Sequence, residues 1–228
     1  MALLQKLKKI KRETIRLKVR NGFWLPRTCN ARAKGLKVDE FTIISNNCWG
    51  GTIYESYGMR KDTPTVGMFI MPSDYVRFCG NLDYYLAQPL EFISTEESKW
   101  KGALDSKDNW GTYLIGRIGD VELHMLHHHD EATARRKWES RVGRVRHDRL
   151  IFKLNDQNGA TEEDLLAFDA LSLEHKLVFS ANEHPNVKCC KKIHCPHGSE
   201  FIQASWEPFG ANRSFNVTEY INSCFGGD

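Results

Sequence analysis

Short apolar runs rich in β-branched and aromatic residues recur from residue 41 onward, and most are followed by a stretch with helical spacing. Phe41 to Ser45 (FTIIS) predicts a buried strand, Asn46-Asn47 a break, and the segment through Tyr57 a helix. Val66 to Met71 (VGMFIM) predicts a second strand, and Pro72-Ser73-Asp74 a helix start before Tyr75 to Leu86. Leu90 to Ile93 and Val121 to Leu126 (VELHML) predict a third and a fourth strand. Asp130 stands as the cap of a helix running to Arg144, and Leu150 to Leu154 predicts a fifth strand. Thr-Glu-Glu-Asp opens a helix over Thr161 to Leu171, and Leu177 to Ser180 predicts a sixth strand. Thr95 to Trp110 is polar and reads as a surface loop, and there is no internal repeat. Continuous apolar strands alternating with helices predict an α/β fold: three layers, with a mixed or mostly parallel sheet covered by helices on both faces.

Ahead of this body the pattern is different. Leu3, Leu4, Leu7 and Ile10 recur near helical spacing with Lys6, Lys8, Lys9, Lys11 and Arg12 between them, and Ile15, Leu17, Val19, Phe23 and Trp24 continue the apolar set. Residues 1–37 hold twelve Lys/Arg and one acid, Glu13, a charge of +11. The rest holds twenty Lys/Arg and twenty-eight acids, a charge of −8, so the net +3 conceals a basic arm on an acidic body. The expected organisation is a basic N-terminal arm and helix over 1–37 and a single α/β domain over 38–228. Such a helix either lies on an anionic membrane surface or packs its leucines on the body. Nucleic acid is not an expected partner, because the body is acidic and no recognition motif follows the charge.

Composition narrows the class without naming a reaction. With 41% hydrophobic and 27% charged residues the chain reads as an ordinary globular protein, neither disordered nor collagen-like. No apolar run reaches the ~18 residues that suggest a membrane span, and Lys or Arg interrupts any signal-like run near the start. Seven cysteines are an odd number and too sparse for a disulfide scaffold. A reduced, cytoplasmic chain is expected, with peripheral contact at the inner face of the plasma membrane if the arm binds lipid.

In α/β sheets ligands sit beyond the carboxyl ends of the strands. Cys48 follows the first strand, His127 to His129 follow the fourth, and Asn155-Asp156 follow the fifth. Cys48 near a helix start is a candidate nucleophile, with His127 or His124 as base and Asp156 as the group orienting it; an inert buried cysteine is the alternative. Asn47, Trp49, Gly50, Gly51 and Asn155 flank that point as candidate substrate contacts, the glycines either letting a phosphate approach or making a sharp turn. Arg141 and Arg144, in a run of basic residues, are candidates to clamp a phosphate or carboxylate. Cys189, Cys190, His194, Cys195 and His197 form a weak metal set, since CCxxxHCxH lacks paired CxxC knuckles. These residues assign no cofactor, and the 189–197 set is the weak metal candidate.

Three strings carry a resemblance: FTIISNNCWGGTIYESYGMRKDTPTVGMFIMPSDYVRF, IGRIGDVELHMLHHHDEATARRKWESRVGRV and LIFKLNDQNGATEEDLLAFDALSLEHKLVFS. In that order they resemble a bacterial family filed as domain of unknown function 1919, whose members are often labelled exopolysaccharide biosynthesis proteins. The family pattern is matched at Asn47, Cys48, Trp49, Gly50, Gly51, Pro64, Thr65, Gly67, Gly119, Asp120, His124, His127, Trp138, Arg141, Asn155 and Asp156. The basic arm and the 189–197 stretch lie outside the pattern. The resemblance implies a bacterial cytoplasmic protein that serves capsule, exopolysaccharide or lipopolysaccharide assembly, and implies no particular reaction. Three functions follow from it and the residues above. One is a transferase or hydrolase acting on a glycan or lipid-linked precursor through Cys48. Another is non-covalent binding of a sugar nucleotide or glycan. The third is a docking subunit that recruits glycosyltransferases to the membrane.

Overall fold

The protein is described here by a computed structural model covering residues 25–195, 199–210 and 214–226, preceded by Ile15, Lys18, Val19, Gly22 and Phe23. Apart from those five positions, the helix expected before residue 25 lies outside the described residues. Strands β1 (Thr42–Ser45), β5 (Leu150–Asn155), β6 (Lys176–Ser180) and β7 (Cys190–Lys192) form a parallel sheet in the order β1-β5-β6-β7. A second sheet is antiparallel, β2 (Glu91–Ile93), β3 (Leu114–Ile118) and β4 (Val121–Met125) in that order.

The three-layer expectation holds around the parallel sheet, because alternate strand residues enter two different cores. Ile43, Ile151, Leu177 and Phe179 face one side, where α2 (Trp49–Tyr57) and α8 (Val217–Phe225) contribute Trp49, Ile53, Tyr57, Val217 and Ile221. Ile44, Phe152, Leu154 and Val178 face the other, against α3 (Pro72–Gly80), α6 (Glu131–Val142) and α7 (Glu162–Ala170), which supply Tyr75, Phe78, Trp138, Leu165 and Phe168. Helix α1 (Leu25–Gly35) rests on this body: the Arg32 Nε donates to Ser56 O at 2.7 Å, and the Asn222 side chain caps Gly35 O at 2.8 Å.

Three expectations need correction. Val66 to Met71 is not a strand: Gly67 turns the chain at φ +76°, and the remainder makes a single antiparallel bridge, Phe69 to His124, while Ile70 N donates to Asn46 O at 2.9 Å. This segment stitches β1 to β4, and so joins the two sheets. The helix expected over 75–86 breaks at Asn81 (φ −145°, ψ 57°) into α3 and α4 (Leu82–Ala87). The polar stretch 95–110 contains a short helix, α5 (Lys101–Leu104). Strand β3 (LIGRI) escapes sequence patterning because Gly116 and Arg117 interrupt it. Gly116 is there for close approach: a Cβ would stand 2.7 Å from the Leu90 side chain. Beyond residue 180, β7 and α8 were likewise not expected.

Candidate functional site

The carboxyl ends of β1, β5 and β6 do converge, but they are closed over. Asn46 and Asn155 clasp across the strands, the Asn46 Nδ2 donating to Asn155 Oδ1 at 3.0 Å and the Asn155 N to Asn46 Oδ1 at 3.1 Å. Beside them lies the Lys153–Glu207 ion pair, with neither side chain exposed to solvent. Asn47 joins the pair, accepting from Lys153 Nζ at 2.8 Å and donating to Glu207 Oε2 at 3.2 Å. The lysine ammonium sits 5.6 Å from the Trp49 ring and 5.9 Å from the Phe179 ring. Burial pushes the lysine pKa down and the Glu207 pKa up, each toward its neutral form, and their mutual attraction opposes both shifts. Sequence reasoning missed both residues. A lysine inside the apolar strand LIFKL was the available signal, since a buried lysine needs an acid.

The segment 199–210 supplies that acid and covers the strand ends. Trp49 Nε1 donates to Pro208 O at 2.6 Å, and Asn155 Nδ2 to Ile202 O at 3.0 Å. Asp156 faces the same segment rather than a histidine. Its carboxylate accepts from Ser180 Oγ, Ala181 N and Ile202 N, all at 2.7 Å, and so ties β5, β6 and 199–210 together. Gly50 lets α2 lie against β1, and Gly51 lets it approach the 66–71 connection. A Cβ on Gly50 would meet Ser45 Oγ at 3.1 Å, and one on Gly51 would meet Val66 at 3.3 Å.

Cys48 precedes α2 without capping it, and its thiol reaches Met68 O at 3.8 Å. Burial pushes its pKa up to about 11, Glu207 adds to the rise, and Lys153 opposes it. Among the described residues no hydrogen bond or ion pair links Cys48, His127 and Asp156. His124 is fully buried in β4, stacked on Phe69 with ring centroids 4.5 Å apart, and burial lowers its pKa to about 4. An imidazole so placed is a poor base at neutral pH. His127 is exposed in the turn after β4. The expected triad is therefore not assembled as nucleophile, base and orienting group. Of the cysteine-rich stretch, Cys189 and Cys190 have pKa values pushed up by burial to about 12 and about 11, and Cys195 Sγ contacts Phe201 O at 3.7 Å. His194 is exposed, His197 is outside the described residues, and among those described no three His, Cys, Asp or Glu side chains group as metal ligands.

The two candidate arginines separate sharply. Arg144 is a structural tie: its Nε donates to Asp62 Oδ1 at 2.9 Å and its NH1 to Ser140 O at 2.6 Å. Arg141, one turn earlier and half-buried, makes no side-chain hydrogen bond or ion pair among the described residues. Burial, and then the neighbouring Arg144 charge, lower its pKa. In the turn after β4, His128 is buried with Nε2 3.2 Å from Val66 O, while its Nδ1 has no partner among the described residues.

Comparison with known proteins agrees with the family resemblance. The family described as domain of unknown function 1919 matches residues 23–221. An uncharacterized protein of Haemophilus influenzae is similar, 32% identical over 169 residues that cover 74% of each chain.

Proposed function

The chain belongs to the family described as domain of unknown function 1919, and on that premise we propose that it serves bacterial surface-polysaccharide biosynthesis by binding a sugar nucleotide or glycan precursor without covalent catalysis. The pathway rests on the label that members of the family often carry. The non-covalent reading rests on Cys48, the only candidate nucleophile singled out by the sequence. A thiol pushed up to about 11, with no hydrogen-bonded base, is scarcely ionised at neutral pH. Iodoacetamide labelling of the native protein, followed at the Cys48 peptide, should be slow at pH 8 and should climb steeply only above about pH 10. Equilibrium titration with UDP-glucose should show saturable binding that survives Cys48→Ser. Thiolate reactivity titrating below about 8.5, together with turnover lost in Cys48→Ser, would restore the transferase or hydrolase reading.

The same proposal places the protein at the cytoplasmic face of the membrane through its arm. Ile15, Val19 and Phe23, four residues apart, are 52%, 46% and 47% exposed amid the basic residues of 1–37, and the Arg27 guanidinium lies over the Phe23 ring at 4.1 Å. Among the described residues no helix is long and apolar enough to cross a membrane, and the attachment proposed is peripheral. Vesicles of phosphatidylcholine with a third phosphatidylglycerol should sediment the full-length protein at low salt and release it as salt rises, because such attraction is screened over about 10 Å at 0.1 M. Full-length protein that ignores these vesicles at low salt would defeat the membrane reading.

A further inference from the structure

The outer face of the antiparallel sheet is unevenly covered. Strand alternation sends Leu123 and Met125 into the main core, and the pairing register lines up two rows on the opposite side. Ile93, Ile115 and His124 form one row, and Phe69, Trp110 and Tyr113 pack over its histidine. Glu91, Arg117 and Glu122 form the other. These three charged residues line a cavity of about 610 Å³, together with Arg77 of α3, Gln88, Lys99 and the Gly119-Asp120 turn that joins β3 to β4.

The polar groups of this groove are fixed by their neighbours. Glu122 accepts from Ser98 Oγ at 2.6 Å and Lys99 N at 2.9 Å. Asp120 accepts from the Tyr85 hydroxyl at 2.8 Å, and Arg77 Nε stands 3.4 Å from its other oxygen. The fully buried Asp74 anchors the set, accepting from Arg77, from Lys99 Nζ at 2.7 Å and from Glu122 N at 3.0 Å. Arg117 donates from NH2 to Glu91 Oε2 at 2.9 Å, and among the described residues the rest of its fork has no partner. That pair is well exposed, and an exposed ion pair contributes little to stability, so it is free to serve another purpose.

We propose that this groove binds a neutral hexose unit of a glycan. Its cations already face carboxylates, so it holds no net attraction for a phosphate or an acidic sugar. A sugar hydroxyl donates and accepts at once, and so bridges a guanidinium and a carboxylate that lie side by side. Arg117 with Glu91 and Arg77 with Asp120 are two such couples on one cavity, whose volume is that of a small-ligand site. Tyr84 adds aromatic surface for the C–H groups of a sugar. It is 49% exposed and stands beside Gly119, where a Cβ would come within 3.8 Å of its ring. The proposal rests on the reading above that the protein handles a glycan precursor, and it adds that the glycan itself is recognised here, apart from any nucleotide or phosphate.

Screening the full chain on an immobilised panel of neutral hexose oligosaccharides and sialylated oligosaccharides tests this, followed by calorimetric titration with the best-retained neutral one and with UDP-glucose. Neutral oligosaccharides should be retained, with an affinity that holds from about 0.05 M to about 0.5 M salt, because an uncharged ligand has no attraction for salt to screen. Arg117→Ala should weaken that binding by roughly tenfold or more, the loss expected of a hydrogen bond to a charged group, and should leave the melting temperature unchanged. Tyr84→Ala should weaken it too, while Tyr84→Phe, which keeps the ring, should match the parent. Should Arg117→Ala unfold, the two Tyr84 variants decide the matter. Retention confined to sialylated glycans, or neutral binding that survives both Arg117→Ala and Tyr84→Ala, would overturn the proposal. If UDP-glucose binds and no neutral glycan does, this groove is wrong while the sugar-nucleotide reading stands. If neither binds, both readings fall.

Discussion

At the scale of single residues, His124 shows how position in a strand overrides chemical capability. Its neighbours Leu123 and Met125 enter the main core, and the alternation of the strand sends the imidazole to the opposite face, among Phe69, Trp110 and Tyr113. Among the described residues neither ring nitrogen finds a hydrogen bond, and the carboxylate oxygen Glu122 Oε2 stands 3.9 Å from Nε2. Burial therefore depresses the folded-state pKa to about 4, below the ordinary histidine value. The unfolded chain takes up the proton first as pH falls, so the contribution of this site to stability is whole above about pH 6.5. It should fall away by about 3 kcal/mol as pH drops toward 4. Replacing the ring by an apolar one removes that term. The stability difference between His124→Phe and the parent, measured by urea unfolding, should grow in favour of the variant from pH 7 to pH 4.5. A difference that stays constant with pH would mean the imidazole is not held neutral.

At the scale of elements, the connection 66–71 is where apolar pattern and backbone geometry disagree. The run VGMFIM has the composition of a buried strand, yet Gly67 adopts a left-handed turn and Pro72 starts α3, leaving too few extended residues to build a ladder. Instead the segment lends one bridge to β4 and one hydrogen bond to the end of β1. The turn also carries the backbone carbonyls that position the histidines, since His127 N donates to Gly67 O at 3.0 Å. Gly67→Ala should cost about 1–3 kcal/mol through left-handed strain and contact with His127. It should also displace His128, seen as a changed ring resonance in the NMR spectrum of the unliganded protein. A variant with unaltered stability would show that this turn is not held in the left-handed form.

At the scale of the whole molecule, the Lys153–Glu207 pair joins the centre of the parallel sheet to a segment more than fifty residues further along the chain. Long-range closure of this kind is what converts an open strand-end cleft into a sealed one. The pair is a fastening that matters more when broken than when absent, because removing one member strands a buried charge. Lys153→Met should destabilise by about 3–5 kcal/mol, and Lys153→Met with Glu207→Gln should recover most of that loss. Chemical unfolding of the two variants measures both numbers. Equal destabilisation in single and double variants would mean that the lysine acts mainly through its packing against Trp49 and Phe179.

Local signals in the chain were sufficient for much of this architecture. β-Branched apolar runs placed β1, β4, β5 and β6, and Asp130 and Thr161 marked helix starts that the structure caps through Thr133 N at 2.7 Å and Asp164 N at 3.2 Å. These features are set within a few residues, by propensity and by hydrogen bonds between near neighbours, so they are readable without a fold. The site was legible only in part. Asn47, Asn155 and Asp156 do converge, as their place after strands implied, and of the two named arginines Arg144 is a structural tie. Which arginine is satisfied depends on whether an acid arrives from elsewhere: among the described residues Asp62 reaches Arg144 and none reaches Arg141. Likewise Cys48 is chemically capable as a residue type, but burial and the approach of Glu207 decide its ionisation. Sequence determined the elements because their causes are local; tertiary structure alone decided which polar groups are paired, because partners such as Glu207 and Lys153 are brought together only when the chain closes on itself.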